Sequence, residues 1–381
     1  MIFIPNKFEV FLLDILRGEV LGRKAQEKRL LLSVSELTQV MRVAKEHTVQ
    51  GLVANAAVQG SIEISADSGD GKQRAVMKLI QVNMMHQRNY LRFSKAIADF
   101  TVVMNKYGLR FVIFKGVAMA RRYPVPYART MGDVDFYVPA SDFDKAVVMI
   151  ERELHVEIEK ENIDKHYCFD YQGIRFEMHY QIETFGNGSH QRYFNRMIDE
   201  SIGNGADCFS ISVSGNDGGK VQVSVLPSTE DLIVVFKHWF NHLLVEGVGL
   251  RQTIDLAILL KAYQDRVDAA RLMVSLDKIG YMKAFRAMLA MMRKYFGLSQ
   301  VENFCVLNGQ DEKYADKLME TIMESGNFGR KAYKNHTKGK EKSMETATRA
   351  LRHCMKFFWL APLDILCLIP KRIEITLRQR I

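Results

Sequence analysis

The chain has 381 residues, 48% of them hydrophobic and 25% charged, with a formal net charge of +9 at pH 7. That length exceeds one comfortable core and points to two or three domains of an ordinary globular protein. The five scattered cysteines (Cys168, Cys208, Cys305, Cys354, Cys367) form no CxxC or Cys/His cluster, which excludes a disulfide framework and a structural zinc and fits a reducing cytoplasm.

The first segment, MIFIPNKFEVFLLDILRGEV, carries an acid inside its apolar part and no small-residue cleavage site, so it does not read as a signal peptide. Residues 1 to about 105 read as helical. Phe8, Phe11, Leu12, Ile15 and Leu16 recur at helical spacing, as do Leu37, Val40, Met41 and Ala44. A polar Gly/Ser/Asp-rich stretch between Gly60 and Gln73 predicts a loop. A long helix then runs from about Ala75 to Lys106 and stops at Tyr107-Gly108, where glycine supplies a left-handed cap.

Here the period changes. Arg110–Phe114 reads as a short apolar strand, and Gly116 opens a helix VAMARRY that ends before Pro124. A strand DVDFYV follows, then a helix FDKAVVMIERE capped by Ser141-Asp142. Strands are expected at 155–159 (HVEIE), 166–171 (HYCFDY) and 174–180 (IRFEMHY), the last two joined by a Gln172-Gly173 turn. A hairpin is expected over 209–226 around GNDGG. This order predicts a small mixed α/β sheet. After Pro227, Ser228 or Thr229 with Glu230 and Asp231 starts a helix DLIVVFKHWFNHLLVEG, and LRQTIDLAILLKAYQ forms the next. A basic loop at 329–342 precedes a final amphipathic stretch. No uninterrupted apolar run reaches the roughly 18–20 residues that a spanning helix needs.

The positive charge is local. Between Gly326 and Ile381 there are 13 Lys and Arg against four Asp and Glu, and residues 1–325 are balanced at 40 of each. A nucleic-acid partner is therefore not favoured at the chemical site. Binding through the basic end would give salt-sensitive RNA affinity that survives a change at Asp133.

Chemistry concentrates at Gly132-Asp133-Val134-Asp135. In a strand, residues two apart share a face, so both acids project together. At ~4 Å and an effective dielectric of ~20 they repel by about 4 kcal/mol. A divalent cation relieves that, and oxygen ligands suit Mg²⁺ or Mn²⁺. Val134, Phe136 and Val138 make the other face apolar, while Gly132 lets backbone approach a bound group. Glu177 is the expected third acid: in RFEMHY it shares a face with Arg175 and His179, opposite Phe176 and Met178. His238 and His242 lie four apart on one helical face, a spacing that can bind metal; Trp239 stands where a zinc protease needs Glu, which rejects that class. Arg251 and Asp255 form an i, i+4 pair.

Residues 111–138, FVIFKGVAMARRYPVPYARTMGDVDFYV, resemble the signature of the polymerase-beta-like nucleotidyltransferase superfamily: a glycine-bearing strand–helix turn followed by a D-x-D strand. More narrowly, this stretch followed by FEMHY and FKHWFNHLLVEGVGLRQTIDLAILL is similar to an uncharacterised bacterial nucleotidyltransferase family. Its members carry a Lys-Gly turn, an R-x-x-G-D-x-D strand, an acid-x-His strand and a helical His motif. The resemblance spans about residues 35 to 265. It departs from the superfamily at the turn, where Lys115-Gly116 replaces the usual Gly-Ser or Gly-Gly and sixteen residues separate Gly116 from Asp133.

The resemblance implies an α+β fold with a small mixed-sheet nucleotidyltransferase core at 106–228. A helical N-terminal region (1–105), a helical C-terminal domain (229–350) and an amphipathic basic tail (351–381) would flank it. It implies Mg²⁺- or Mn²⁺-dependent transfer of a nucleoside monophosphate from an NTP to an unidentified hydroxyl-bearing acceptor. Asp133 and Asp135 would hold the metal, with Glu177 as third ligand or base. Lys115 and Arg129 would neutralise phosphates beside Gly116 and Gly132. His179, His238, Arg251 and Asp255 would line the cleft. The alternative is a catalytically inactive nucleotide-binding or scaffold protein linked to surface polysaccharide synthesis, against which the presence of all three acids argues. The terminal KFFWLAPLDILCLIPKRIEITLRQRI reads as a helix docking on the core. Its mixture of apolar and basic residues also allows contact with an anionic membrane, which would make a cytoplasmic protein peripheral to the inner membrane.

Overall fold

A computed structural model describes residues 3–22, 29–65, 70–160, 166–203, 206–212, 219–329 and 340–368. The chain begins with α1 (Lys7–Leu21), whose capping box pairs the Asn6 side chain with the Glu9 N–H and the Glu9 carboxylate with the Asn6 N–H. Then come β1 (Leu30–Leu32), α2 (Val34–Glu46), α3 (Gln50–Val58), β2 (Ile62–Ile64) and α4 (Asp70–Lys106). β1 and β2 pair in parallel, so residues 1–105 are not wholly helical and the stretch expected as a loop contains a strand. Ile62 and Ile64 are buried on either side of exposed Glu63, an alternation too short to stand out among polar neighbours. α4 ends at Lys106 as the sequence indicates, with Gly108 at φ 61°.

The sheet region comprises β3 (Val112–Phe114), α5 (Gly116–Ala120), β4 (Val134–Tyr137), α6 (Ala140–Leu154), β5 (His166–Tyr171), β6 (Ile174–His179), α7 (Gly188–Gly203), β7 (Asp207–Ser212) and β8 (Lys220–Val225). Among the described residues, six strands run in the order β5-β6-β4-β3-β8-β7. β6–β4 and β3–β8 are parallel pairs and the other neighbours are antiparallel. This is a mixed sheet within an α+β fold. Gln172 and Gly173 both have positive φ, 52° and 69°, as a tight two-residue hairpin requires.

Three local expectations are corrected. HVEIE forms no strand, only a single bridge from Glu159 to Cys168. The helix opened by Gly116 stops at Ala120 rather than Tyr123. Ser141 and Asp142 do not cap α6: Asp142 accepts from the Arg110 N–H and Nε, at 3.1 and 3.0 Å, because Arg110 reaches back across the sheet end. Of the hairpin turn GNDGG, residues 215–218 lie outside the described residues, as do 330–339 of the basic loop and 369–381 of the tail.

The chain continues through α8 (Ser228–Val245), α9 (Leu250–Tyr263), α10 (Ala269–Lys278), α11 (Met282–Phe296), α12 (Gly309–Ser325) and α13 (Lys340–Phe357), with residues 362–368 also helical. Two apolar clusters organise these parts. Val134, Phe136, Phe176, Met178 and Val223 face α4 and α6 on one side of the sheet. The other cluster joins α1–α3, α8, α9 and α11 and reaches the sheet at Val112, Phe114 and Tyr137. The polar face of β4 and β6 is left between the sheet and α8–α9.

Candidate active site

Parallel pairing of β4 with β6 sets Asp135 beside Glu177 and Tyr137 beside His179. Antiparallel β5 adds His166 opposite His179. Asp133 shares the face of Asp135, just before β4 begins. The His179 Nε2 atom lies 3.0 Å from Asp135 Oδ1 and 3.5 Å from Glu177 Oε2, and His166 Nε2 lies 3.6 Å from Glu177 Oε2. Lys115 Nζ stands 3.6 Å from Asp135 and 3.8 Å from Glu183. Lys115 itself occupies φ 57°, ψ −150°, a backbone region essentially reserved for glycine. Gly116 follows at φ 38°, where a Cβ would sit 3.0 Å from the Asp133 carbonyl oxygen. The turn is thus held against the acid strand.

Electrostatics follow from this crowding. Burial, then Asp135 and Glu177, push the Asp133 carboxyl up to about 6. Burial also opposes charge on Asp135, but Lys115 and His179 outweigh it and hold that carboxyl well below its ordinary range. Glu177 is lowered as well: burial raises it, and His179 more than compensates. Asp133 is therefore the acid of the group that holds a proton most readily, chiefly through burial. Asp135, Glu177 and His179 offer ligand atoms within 4.8 Å of one another. The carboxylate oxygens of Asp135 and Glu177, beside an Asp133 raised by burial and by those like charges, fit a divalent cation such as Mg²⁺ or Mn²⁺.

The facing wall comes from α8 and α9. Together with the sheet it encloses ≈350 Å³. Arg129 donates from Nε and Nη2 to the two oxygens of Asp255 at 2.7 and 2.8 Å, and the Tyr123 hydroxyl donates to Asp255 at 2.7 Å. Burial disfavours the Arg129 charge, and Asp255 more than offsets it. Arg251 lies close by, with its pKa lowered by burial and by Arg129.

A model of the family described as uncharacterised nucleotidyltransferase matches residues 34–297. The chain belongs to this nucleotidyltransferase family. No curated protein matches it. Among solved structures, ANT(2″)-Ia in complex with adenylyl-2″-tobramycin aligns at 13% identity and TM-score 0.32, over 49% of this chain and 95% of that one. The solution structure of ANT(2″)-Ia aligns at 13% and 0.33, over 54% and 96%. An antigenic nucleotidyltransferase-like protein from Paracoccidioides brasiliensis aligns at 11% and 0.35, over 58% and 96%.

In this family member, the eleven residues singled out in the sequence (Lys115, Gly116, Arg129, Gly132, Asp133, Asp135, Glu177, His179, His238, Arg251 and Asp255) all line the same cleft. Two pairings differ from expectation. Asp255 bonds Arg129 from across the chain rather than Arg251 one turn away, because Arg129 reaches it with two parallel donors. Arg129, only 5% exposed, is thereby engaged by a carboxylate at the cleft wall. Among the described residues, Arg251 has no carboxylate within ion-pair distance, although it lines the same cleft. Sequence reasoning missed His166, Glu183 and Glu246. His166 opens β5 with only its strand register as a signal. Glu183 is a lone acid after β6; it is 1% exposed and 2.9 Å from both His238 Nδ1 and Asn241 Nδ2.

Proposed function

We propose that the chain transfers a nucleoside monophosphate from an NTP to a hydroxyl-bearing acceptor, using Mg²⁺ or Mn²⁺ held by Asp133, Asp135 and Glu177. The observation that carries this reading is the adjacent register of Asp135 and Glu177 on a cleft walled by α8 and α9. The cation would neutralise charge on the triphosphate and on the attacking and leaving oxygens. Lys115 and Arg251 bind phosphate oxygens as fixed positive charges. Glu177, with a side chain 24% exposed against 8% for Asp135, takes the acceptor hydroxyl's proton on a carboxylate oxygen. His179 orients Asp135 and Glu177, and the Arg129–Asp255–Tyr123 cluster positions the segment that leads into Gly132. In this reading 106–228 is the catalytic core, 1–105 and 229–350 build and close the cleft, and the protein works in the cytoplasm. Incubating the chain and Mg²⁺ with each α-labelled NTP in a cell extract tests it. One labelled acceptor dependent on one NTP is expected; no labelled product with any NTP contradicts it.

A second reading concerns location. Leu351, Met355, Trp359, Leu363 and Leu366 are 47–66% exposed and recur at near-helical intervals toward the basic end. We propose that they touch an anionic membrane surface. Cosedimentation with phosphatidylserine vesicles should fall severalfold in a Trp359→Ser, Leu363→Ser variant. Equal binding by variant and parent contradicts the reading.

A further inference from the structure

His238 and His242 stand one turn apart on α8, with side chains 24% and 19% exposed, and both line the cleft. His238 Nδ1 is 2.9 Å from Glu183 Oε1, and His242 Nδ1 is 3.1 Å from Glu246 Oε2. An ionised carboxylate only accepts, so each Nδ1 carries its hydrogen. In a neutral imidazole the remaining nitrogen then bears a lone pair. Yet the two Nε2 atoms face each other at 3.0 Å. Two lone pairs repel at that distance unless a positive centre lies between or beside them.

Two candidates supply that centre, a proton or a metal ion. A shared proton would make one ring an imidazolium that donates to the other Nε2. A metal ion binds the neutral ring instead. The surroundings suit one. A metal-binding histidine normally donates its other N–H to a carboxylate, as both do here. Asn241 Nδ2 fixes Glu183 through its second oxygen at 2.9 Å. Two nitrogens about 2.1 Å from a common ion stand about 3.0 Å apart at a right angle and about 3.4 Å apart at the tetrahedral angle, so a small outward shift of the rings admits the ion.

We propose that His238 and His242 form a second metal site, taking a transition-metal dication such as Zn²⁺ or Co²⁺ through their Nε2 atoms. Imidazole nitrogen selects such ions, whereas carboxylate oxygen suits Mg²⁺. The coordination positions that the two rings do not fill are left for water or an acceptor atom in the cleft. This site does not depend on nucleotidyl transfer, and its test needs no turnover.

The full chain carrying Asp135→Asn, which weakens the acid site, is titrated with Co²⁺ and followed by visible absorption and calorimetry. About one tightly bound Co²⁺ per chain is expected, with affinity falling roughly tenfold or more on adding His242→Gln. Glu246→Gln, a change at a half-exposed position, is the second variant and should weaken binding severalfold, with circular dichroism unchanged. If the Asp135→Asn chain binds no Co²⁺, or binds it equally after His242→Gln and Glu246→Gln, the two rings share only a proton and the proposal fails.

Discussion

Asp255 is the most heavily committed carboxylate in the cleft, accepting from Arg129 twice and from Tyr123 once. Removing one partner of such a buried pair leaves an uncompensated charge, which costs about 3–5 kcal/mol. Asp255→Asn should therefore lower the urea midpoint by that equivalent. Arg251, which has no such partner among the described residues, should behave differently. Arg251→Met is expected to raise KM for the NTP about tenfold, the worth of one charge-assisted hydrogen bond, with the urea midpoint little changed. Away from the cleft, burial raises the Glu19 carboxyl to about 7, against a hydrogen bond from Asn55 that lowers it. The folded chain thus holds this proton more tightly than the unfolded chain. The associated stability is full below about pH 4.5 and is lost as pH rises toward 7. Glu19→Gln should stabilise the protein at pH 8 by on the order of 2 kcal/mol, allowing for partial exposure, and have little effect at pH 4, as read by urea titration at both pH values. The residues legible in the sequence were those with periodic neighbours: Asp133 and Asp135 stand out because Val134 and Phe136 alternate with them. Glu183 has no such frame, and long-range folding alone brings it to Lys115 and His238.

At the scale of elements, long periodic segments such as α4, α8 and α9 were readable, and short ones were not. β1 and β2 have three residues each and depend on pairing with one another. HVEIE alternates like a strand, yet it bonds the outer side of the edge strand β5 only at Glu159. The C-terminal segment shows how tertiary contacts decide an ambiguous stretch. Phe357, Leu360, Ala361 and Ile365 are buried. Asp364, 2% exposed, accepts from the Asn187 N–H at 3.2 Å and from the Tyr281 hydroxyl, and lies 3.7 Å from Lys237. Gly186 permits this approach, since a Cβ there would meet Cys367 Cβ at 2.4 Å. Docking on the core is thus the state of residues 357–365. Asp364→Ala should destabilise the chain by about 3–5 kcal/mol in urea, because it strips a buried ammonium of its carboxylate. A change below about 1 kcal/mol would mean that the segment contributes little.

Across the whole molecule, charge and chemistry are separated. Residues 1–325 are electrically balanced, and the excess of basic groups begins at Gly326. The cleft instead takes its character from a few buried groups held between a sheet face and two helices. One apolar cluster links α1–α3 with α8, α9 and α11, which ties the two ends of the chain together behind that cleft. Among the described residues no helix is long and apolar enough to cross a membrane. The family was readable because its motifs occur in order along the chain, whereas the pairing of Arg129 with Asp255 depends on three-dimensional closure. The central claim is that Asp135, beside Glu177, serves nucleotidyl transfer. The direct measurement compares label transfer from an α-labelled NTP by the parent chain and by Asp135→Asn, at equal folding by circular dichroism. Transfer should fall at least about a thousandfold in the variant, the loss of roughly 4 kcal/mol of transition-state stabilisation. Transfer at the parental rate by a folded Asp135→Asn chain would contradict the account.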